Sequence, residues 1–211
     1  MLRVTDPSFP GIRLLAVCGS LQRRSANRSV LDAAAAVAVA AGATVDTFER
    51  LADLPAFDHD RADDPIPAVA AWRAQVAAAD AVLICAPEYA GALAGAVKNA
   101  TDWLVMSGEL YRTPVAVLSA GTSGGEHARR MLAQTLTWQG AYVVAEVGIA
   151  APRTKLDDDG RVTDGPTSDA IATATRTLLG APTMAPAEVV ALATEVVGAL
   201  GIETGHVTPA V

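Results

Sequence analysis

What this sequence lacks narrows it first. Aromatic residues make up 4% of the chain, so alanine, valine and leucine must fill the interior. That favours helices packed on strands over an aromatic-rich β-sandwich. Cys18 and Cys85 are the two cysteines, and they are far apart with no CxxC pairing, which excludes a disulfide framework and a thiolate zinc site. His59, His127 and His206 stand singly without HxxxH spacing, so no metal site is expected. The longest apolar stretch, Ala33 to Ala43, is alanine-rich and about half the roughly 20 residues of a membrane span. Met1 to Pro10 is polar and proline-punctuated, unlike a secretory leader. The formal charge of −7 argues against a protein that coats nucleic acid or an anionic membrane. We expect a soluble, cytoplasmic protein with no nucleic-acid and no membrane partner.

What is present is apolar and ordered in a repeating way. A hydrophobic fraction of 51% in 211 residues is ample for one domain with an appendage. Short apolar runs alternate with longer helical patterns. Ile12 to Cys18 reads as a buried strand and Ser25 to Ala41 as a helix closed by Gly42. Ala43 to Phe48 reads as a strand, Glu49 to Pro67 as a proline-rich loop and Ala68 to Ala79 as a helix. Ala81 to Ala86 is a strand stopped by Pro87, and Leu93 to Leu104 reads as helical. Pro114 to Ser119 and Ala141 to Gly148 are strands on either side of a helix over Glu126 to Gln139. Thr167 to Leu179 and Pro186 to Leu200 complete the helices. Five strands alternating with helices predict an α/β three-layer sandwich with a parallel sheet. The flavodoxin-like order 2-1-3-4-5 fits best, with residues 1–181 as the domain and 182–211 as a C-terminal helical extension. Its apolar positions, Val189, Val190, Leu192, Val196, Val197 and Leu200, have helical spacing. Ligands of such sheets bind beyond the carboxyl ends of the strands, so three loops matter.

The first loop, Gly19 to Arg28, leads straight into a helix whose first turn offers free amides and the positive end of its dipole. Ser20, Ser25 and Asn27 add short polar groups, and together these features suit a phosphate cradle. From Pro7 to Leu31 there are four arginines, Arg13, Arg23, Arg24 and Arg28, and no carboxylate. The acid lies elsewhere: Asp46 to Asp64 holds seven carboxylates against two arginines, a net of −5. The loop is neither the GxGxxG dinucleotide fingerprint nor a Walker loop.

The second loop, Pro87-Glu88-Tyr89-Ala90-Gly91 continuing to Lys98-Asn99-Ala100-Thr101-Asp102-Trp103, resembles the PEYN-x-x-x-PG-x-LKNAIDW signature of the NADPH-dependent FMN reductase family. The first loop resembles that family's GSLR-x-x-S-x-N element. Ser119 to Gly125 resembles its SAS-x-G-x-x-GG turn. The likeness runs from about Ile12 to Leu179. It implies a flavodoxin-like fold that binds FMN, with NADPH as reductant and a homodimer or homotetramer as assembly. By this resemblance Ser20, Gln22, Arg23, Ser25 and Asn27 surround the FMN phosphate. Pro87, Glu88, Tyr89, Ala90 and Gly91 lie along the ring edge, and Ser119, Gly121, Gly124 and Gly125 approach from the other side. Arg129 and Arg130 are secondary candidates for the NADPH phosphates. No protein residue is assigned as catalytic, because the flavin carries the chemistry. The small-molecule electron acceptor is expected to be a quinone, an azo or nitro compound, a metal oxyanion or free flavin. Three positions depart from the family pattern: Gln22 replaces arginine, Ala90 asparagine and Ala94 proline. They motivate one alternative, a member that has lost flavin and acts as a binding or scaffold protein. A flavodoxin-type electron carrier is the other, although the threonine-rich loop of flavodoxins is missing.

Overall fold

A computed structural model describes residues 8–203. Five long strands form one parallel sheet: β1 (Arg13–Cys18), β2 (Thr44–Phe48), β3 (Ala81–Cys85), β4 (Pro114–Gly121) and β5 (Tyr142–Ala150). Their spatial order is β2-β1-β3-β4-β5, the predicted flavodoxin-like order. β3 is buried along its whole length, as a central parallel strand must be when helices cover both faces.

Six helices cover the sheet: α1 (Ala26–Ala40), α2 (Pro67–Ala77), α3 (Gly95–Asp102), α4 (Glu126–Trp138), α5 (Gly165–Gly180) and α6 (Pro186–Ala199). Side chains alternate across each strand, so the sheet builds two cores. Leu15, Val17, Val82 and Ile84 face α2, α3 and α4, where Trp72 and Trp103 are buried. Leu14, Ala16, Leu83 and Cys85 face α1 and α5. The buried face of α1 is Asn27, Val30, Leu31, Ala34 and Ala38, the three-to-four spacing of an amphipathic helix.

The extension is part of this packing. α6 lies along β5, the edge strand. Val189 and Ala193 join the core beside α5, whereas Val197 and Ile202 join the core beside α4. One short helix thus straddles the sheet edge and closes both layers.

The region after β3 differs most from the sequence reading. Leu93 is not helical. Glu88–Tyr89 and Ala92–Leu93 pair as a short antiparallel hairpin, and α3 begins at Gly95. Alanine-rich segments carry little strand signal, so a turn without asparagine is easily read as the start of a helix. The loop from Glu49 to Pro67 holds two 3-10 turns, Leu51–Asp53 and His59–Arg61. His206 lies outside the described residues. Among the described residues, no helix is long and apolar enough to cross a membrane.

Candidate functional site

The three loops meet at the carboxyl ends of β1, β3 and β4. The Gly19 amide donates to the Cys85 carbonyl at 2.8 Å, and the Ala86 amide to the Leu118 carbonyl at 2.9 Å. Sheet hydrogen bonding therefore continues into the loops. A side chain at Gly19 would come within 2.4 Å of Val97 Cγ2, so only glycine lets the first loop pass α3.

In the first loop, Ser25 caps α1: its Oγ accepts from the Asn27 amide at 3.2 Å. Ser20 Oγ accepts from the Gln22 amide at 3.4 Å. The amides of Leu21, Arg23, Arg24 and Ser25 have no acceptor among the described residues. These donors, at the positive end of α1, are suited to a phosphate. Asn27 has another role. Its amide Nδ2 donates to the Ala120 carbonyl at 2.9 Å, and its Oδ1 accepts from the Ala120 amide at 2.9 Å. The Cys85 thiol also donates to Oδ1, at 3.4 Å. Buried, with its carbonyl oxygen accepting twice and its amide group donating to Ala120, Asn27 clamps the first loop to the third. Arg28 is likewise engaged, forming a fork on Glu49 at 3.1 and 2.8 Å. Arg23 and Gln22 are exposed.

The second loop is the hairpin. Ala90 and Gly91 are its two turn residues, with φ of 52° and 71°. Two successive positive values define the type I′ turn that matches strand twist. Tyr89 is half exposed. The Glu88 carboxylate accepts from the amides of His127 and Ala128 at 2.9 and 3.2 Å. It therefore caps α4, whose own N-cap residue, Gly125, has no side chain to do so. Further along, Asn99 accepts from the Phe57 amide at 2.7 Å and donates to the Pro55 carbonyl at 2.9 Å, so it holds the loop before α2.

The third loop turns at Gly124 and Gly125, with φ of 79° and 66°. A Cβ on Gly125 would lie 2.0 Å from Ser119 Oγ. Ser119 is fully buried, and its hydroxyl has no hydrogen-bond partner among the described residues. A buried orphan hydroxyl beneath a glycine turn suits a site that a polar ligand completes. Arg129 Nε donates to the Gly124 carbonyl at 3.0 Å, and the guanidinium pairs with Glu146. Burial lowers its pKa from the usual arginine value. Arg130 donates to the Leu200 and Gly201 carbonyls at 3.0 and 3.4 Å. Each arginine thus has a structural partner: one holds the third loop and the other the end of α6. Spacing could not reveal this, because both partners are carbonyls distant in sequence or across a turn.

Cys18 and Cys85 occupy paired positions on β1 and β3. Both are buried free thiols, and burial raises both pKa values. Thiolate chemistry is accordingly suppressed there. Among the described residues, no group of three histidine, cysteine, aspartate or glutamate side chains is placed to hold a metal.

A donor-rich turn after β1, a small-residue hairpin after β3 and a glycine turn after β4 come together at the topological switch point of a flavodoxin-like sheet, where sheets of this class bind ligands. The profile of NADPH-dependent FMN reductases matches residues 12–155, and the chain belongs to that family of oxidoreductases. A probable NADPH:quinone oxidoreductase 2 of Oryza sativa is 34% identical over 163 residues, covering 72% of this chain and 80% of its own length. An NAD(P)H-dependent FMN reductase of Pseudomonas aeruginosa is 34% identical over 160 residues, covering 72% and 85%. Among solved structures, the flavoenzyme NAD(P)H:(acceptor) oxidoreductase of Paracoccus denitrificans superposes with a TM-score of 0.68 at 23% identity, over 80% of this chain and 95% of its own. Family membership carries FMN and a nicotinamide dinucleotide as cofactors. The free amides of the first loop and the orphan Ser119 hydroxyl fit the former.

Proposed function

We propose that this protein reduces a small acceptor with two electrons taken from NADPH. The acceptor class is a quinone, an azo or nitro compound, a metal oxyanion or free flavin. When bound, FMN supplies the two-electron relay between donor and acceptor. The chain's own residues bind and orient it. The amides of Leu21, Arg23, Arg24 and Ser25 would receive the phosphate, with Ser20 beside them. The hairpin from Glu88 to Leu93, with Ala90, Gly91 and Ala92 at and beside its turn, would present backbone along the ring edge. Ser119 and the Gly124–Gly125 turn would lie on its other side. One observation carries this reading: four neighbouring amide donors at the start of α1 lack acceptors, at the switch point of a flavodoxin-like sheet. The test is the visible spectrum of purified protein incubated with excess FMN and desalted, before and after anaerobic NADPH. Retained flavin that bleaches with NADPH and recovers with a quinone is the expected result. A colourless protein that does not oxidise NADPH would sink the proposal.

Two further aspects of the reading have physical support. Val105, Met106, Met131 and Trp138 are large apolar residues that are each at least 41% exposed, and three of them line a groove of about 470 Å³ between α3 and α4. A contiguous apolar face of this kind fits a homodimer or homotetramer built on these helices. Size-exclusion chromatography with light scattering on wild type and Trp138→Arg tests it, with a shift towards monomer expected. The free thiols on adjacent strands fit a reducing cytoplasm.

A further inference from the structure

A second cleft adjoins the phosphate loop. It has a volume of about 780 Å³ and lies between the first turn of α1 and the segment from Pro152 to Gly160. That volume is within the roughly 300–1,000 Å³ of small-molecule sites. Among the described residues, four arginine side chains have no hydrogen bond or ion pair: Arg23, Arg24, Arg112 and Arg153. Three of these, Arg23, Arg24 and Arg153, line this one cleft. The chain carries 23 acidic residues against 16 basic ones, so unpaired guanidiniums gathered at one place are not the default arrangement.

The acids of the cleft do not satisfy these arginines. Asp159 pairs with Arg161 at 2.7 Å, and Asp157 receives the Arg161 amide at 2.7 Å. Asp32 lies 3.9 Å from Arg28. Asp158 alone of the acidic wall has no partner among the described residues. The cleft therefore offers unpaired guanidinium groups from both of its sides, Arg23 and Arg24 from one and Arg153 from the other, with Asp158 as a free acceptor on the same segment as Arg153. Guanidinium forks match phosphate oxygens in pairs, whereas a carboxylate suits ribose hydroxyls or an adenine amino group.

We infer that this cleft binds the phosphorylated adenosine of the nicotinamide dinucleotide, with Arg24 and Arg153 holding the phosphate on its ribose. Resting on the proposed function, the inference deepens it: preference for NADPH over NADH is written in these two side chains, one of them on the loop whose backbone amides are proposed to receive the flavin phosphate. A phosphate-free ribose leaves them solvated and contributes nothing.

The test titrates 2′,5′-ADP and 5′-AMP into the purified protein by calorimetry, for wild type and for the Arg24→Ser/Arg153→Ser double variant. Both side chains are exposed and unpaired, so unchanged melting temperature and circular dichroism are expected. Wild type should bind 2′,5′-ADP at least about tenfold more tightly than 5′-AMP, and the double variant should lose that margin, a difference of about 1.4 kcal/mol. The ratio of kcat/KM for NADPH to that for NADH should fall by a similar factor. Equal affinities in wild type, or a margin that survives the double substitution, would overturn the inference. A variant that loses FAD affinity but keeps its 2′,5′-ADP margin would reassign the cleft to the adenylate half of a flavin, which also overturns it. Calorimetry needs no flavin and no turnover. A protein with the margin but no NADPH oxidation keeps this site and loses the proposed activity instead.

Discussion

Ala90 carries a backbone conformation that alanine adopts reluctantly. Its φ of 52° places it in the left-handed region, where a Cβ costs about 1–2 kcal/mol. Asparagine tolerates that region, and Asn-Gly is the favoured pair for this turn. The family asparagine at this position therefore has a conformational explanation. Ala90→Asn should raise stability by about 0.5–1 kcal/mol, measured as an increased urea midpoint at unchanged slope. Gly125 presents the opposite case. Its φ of 66° and the 2.0 Å approach of a Cβ to Ser119 Oγ leave no room for a side chain. Gly125→Ala should cost about 2–4 kcal/mol, from overpacking and left-handed strain together. Adding Ser119→Gly removes both the 2.0 Å oxygen clash and the 2.7 Å Cβ clash, so the double variant should recover part of the loss. A cycle showing strict additivity would refute this contact.

At the scale of elements, some helix starts are encoded locally and others only through the fold. Ser25 before an alanine-rich run is a local signal, and α1 begins one residue later with Ser25 as its cap. The cap of α4 was not legible, because Glu88 lies 39 residues before His127 and reaches it only through the fold. Asn27 shows the same limit: its polar side chain in a phosphate loop suggests a ligand, yet its partner Ala120 lies 93 residues away. β1, β3 and β4 were legible because buried parallel strands are continuous apolar runs, whereas β2, a half-exposed edge strand, shows only the alternation of Val45 and Thr47 against Thr44 and Asp46. The hairpin was not, because its residues are small and its turn lacks asparagine. α5 starts at a local cap, where Asp164 accepts from the Thr167 hydroxyl at 2.6 Å and amide at 3.0 Å. Those hydrogen bonds, the hydroxyl first, lower the Asp164 pKa below its usual value. The cap's contribution is thus complete above the unfolded-state pKa of about 3.9 and fades as pH falls through the lower folded value. Denaturant titrations of wild type and Asp164→Ala should differ at pH 7 and converge in strong acid; a gap independent of pH would exclude the linkage.

For the molecule as a whole, the net charge of −7 conceals a division of labour. Among the described residues, most arginines are paired with acids, whereas three of the four unpaired ones gather beside the phosphate loop. The outer edge of the sheet is also managed. β5 would present an unpaired strand to solvent, and α6 covers it while filling gaps in both cores. Ending the chain at Thr183 removes the burial of Val189, Ala193, Val197 and Ile202 and exposes that edge. The shortened protein should melt at lower temperature and aggregate on warming, as light scattering would show; unchanged melting would make α6 dispensable. The bonds that join the three loops, from Asn27 to Ala120 and from Glu88 to the start of α4, run entirely between protein groups. The receptacle is therefore rigid in its own right. A ligand entering it forfeits only its own freedom and need not order a chain around itself, so association should show the small heat-capacity change of docking, without the large one of coupled folding.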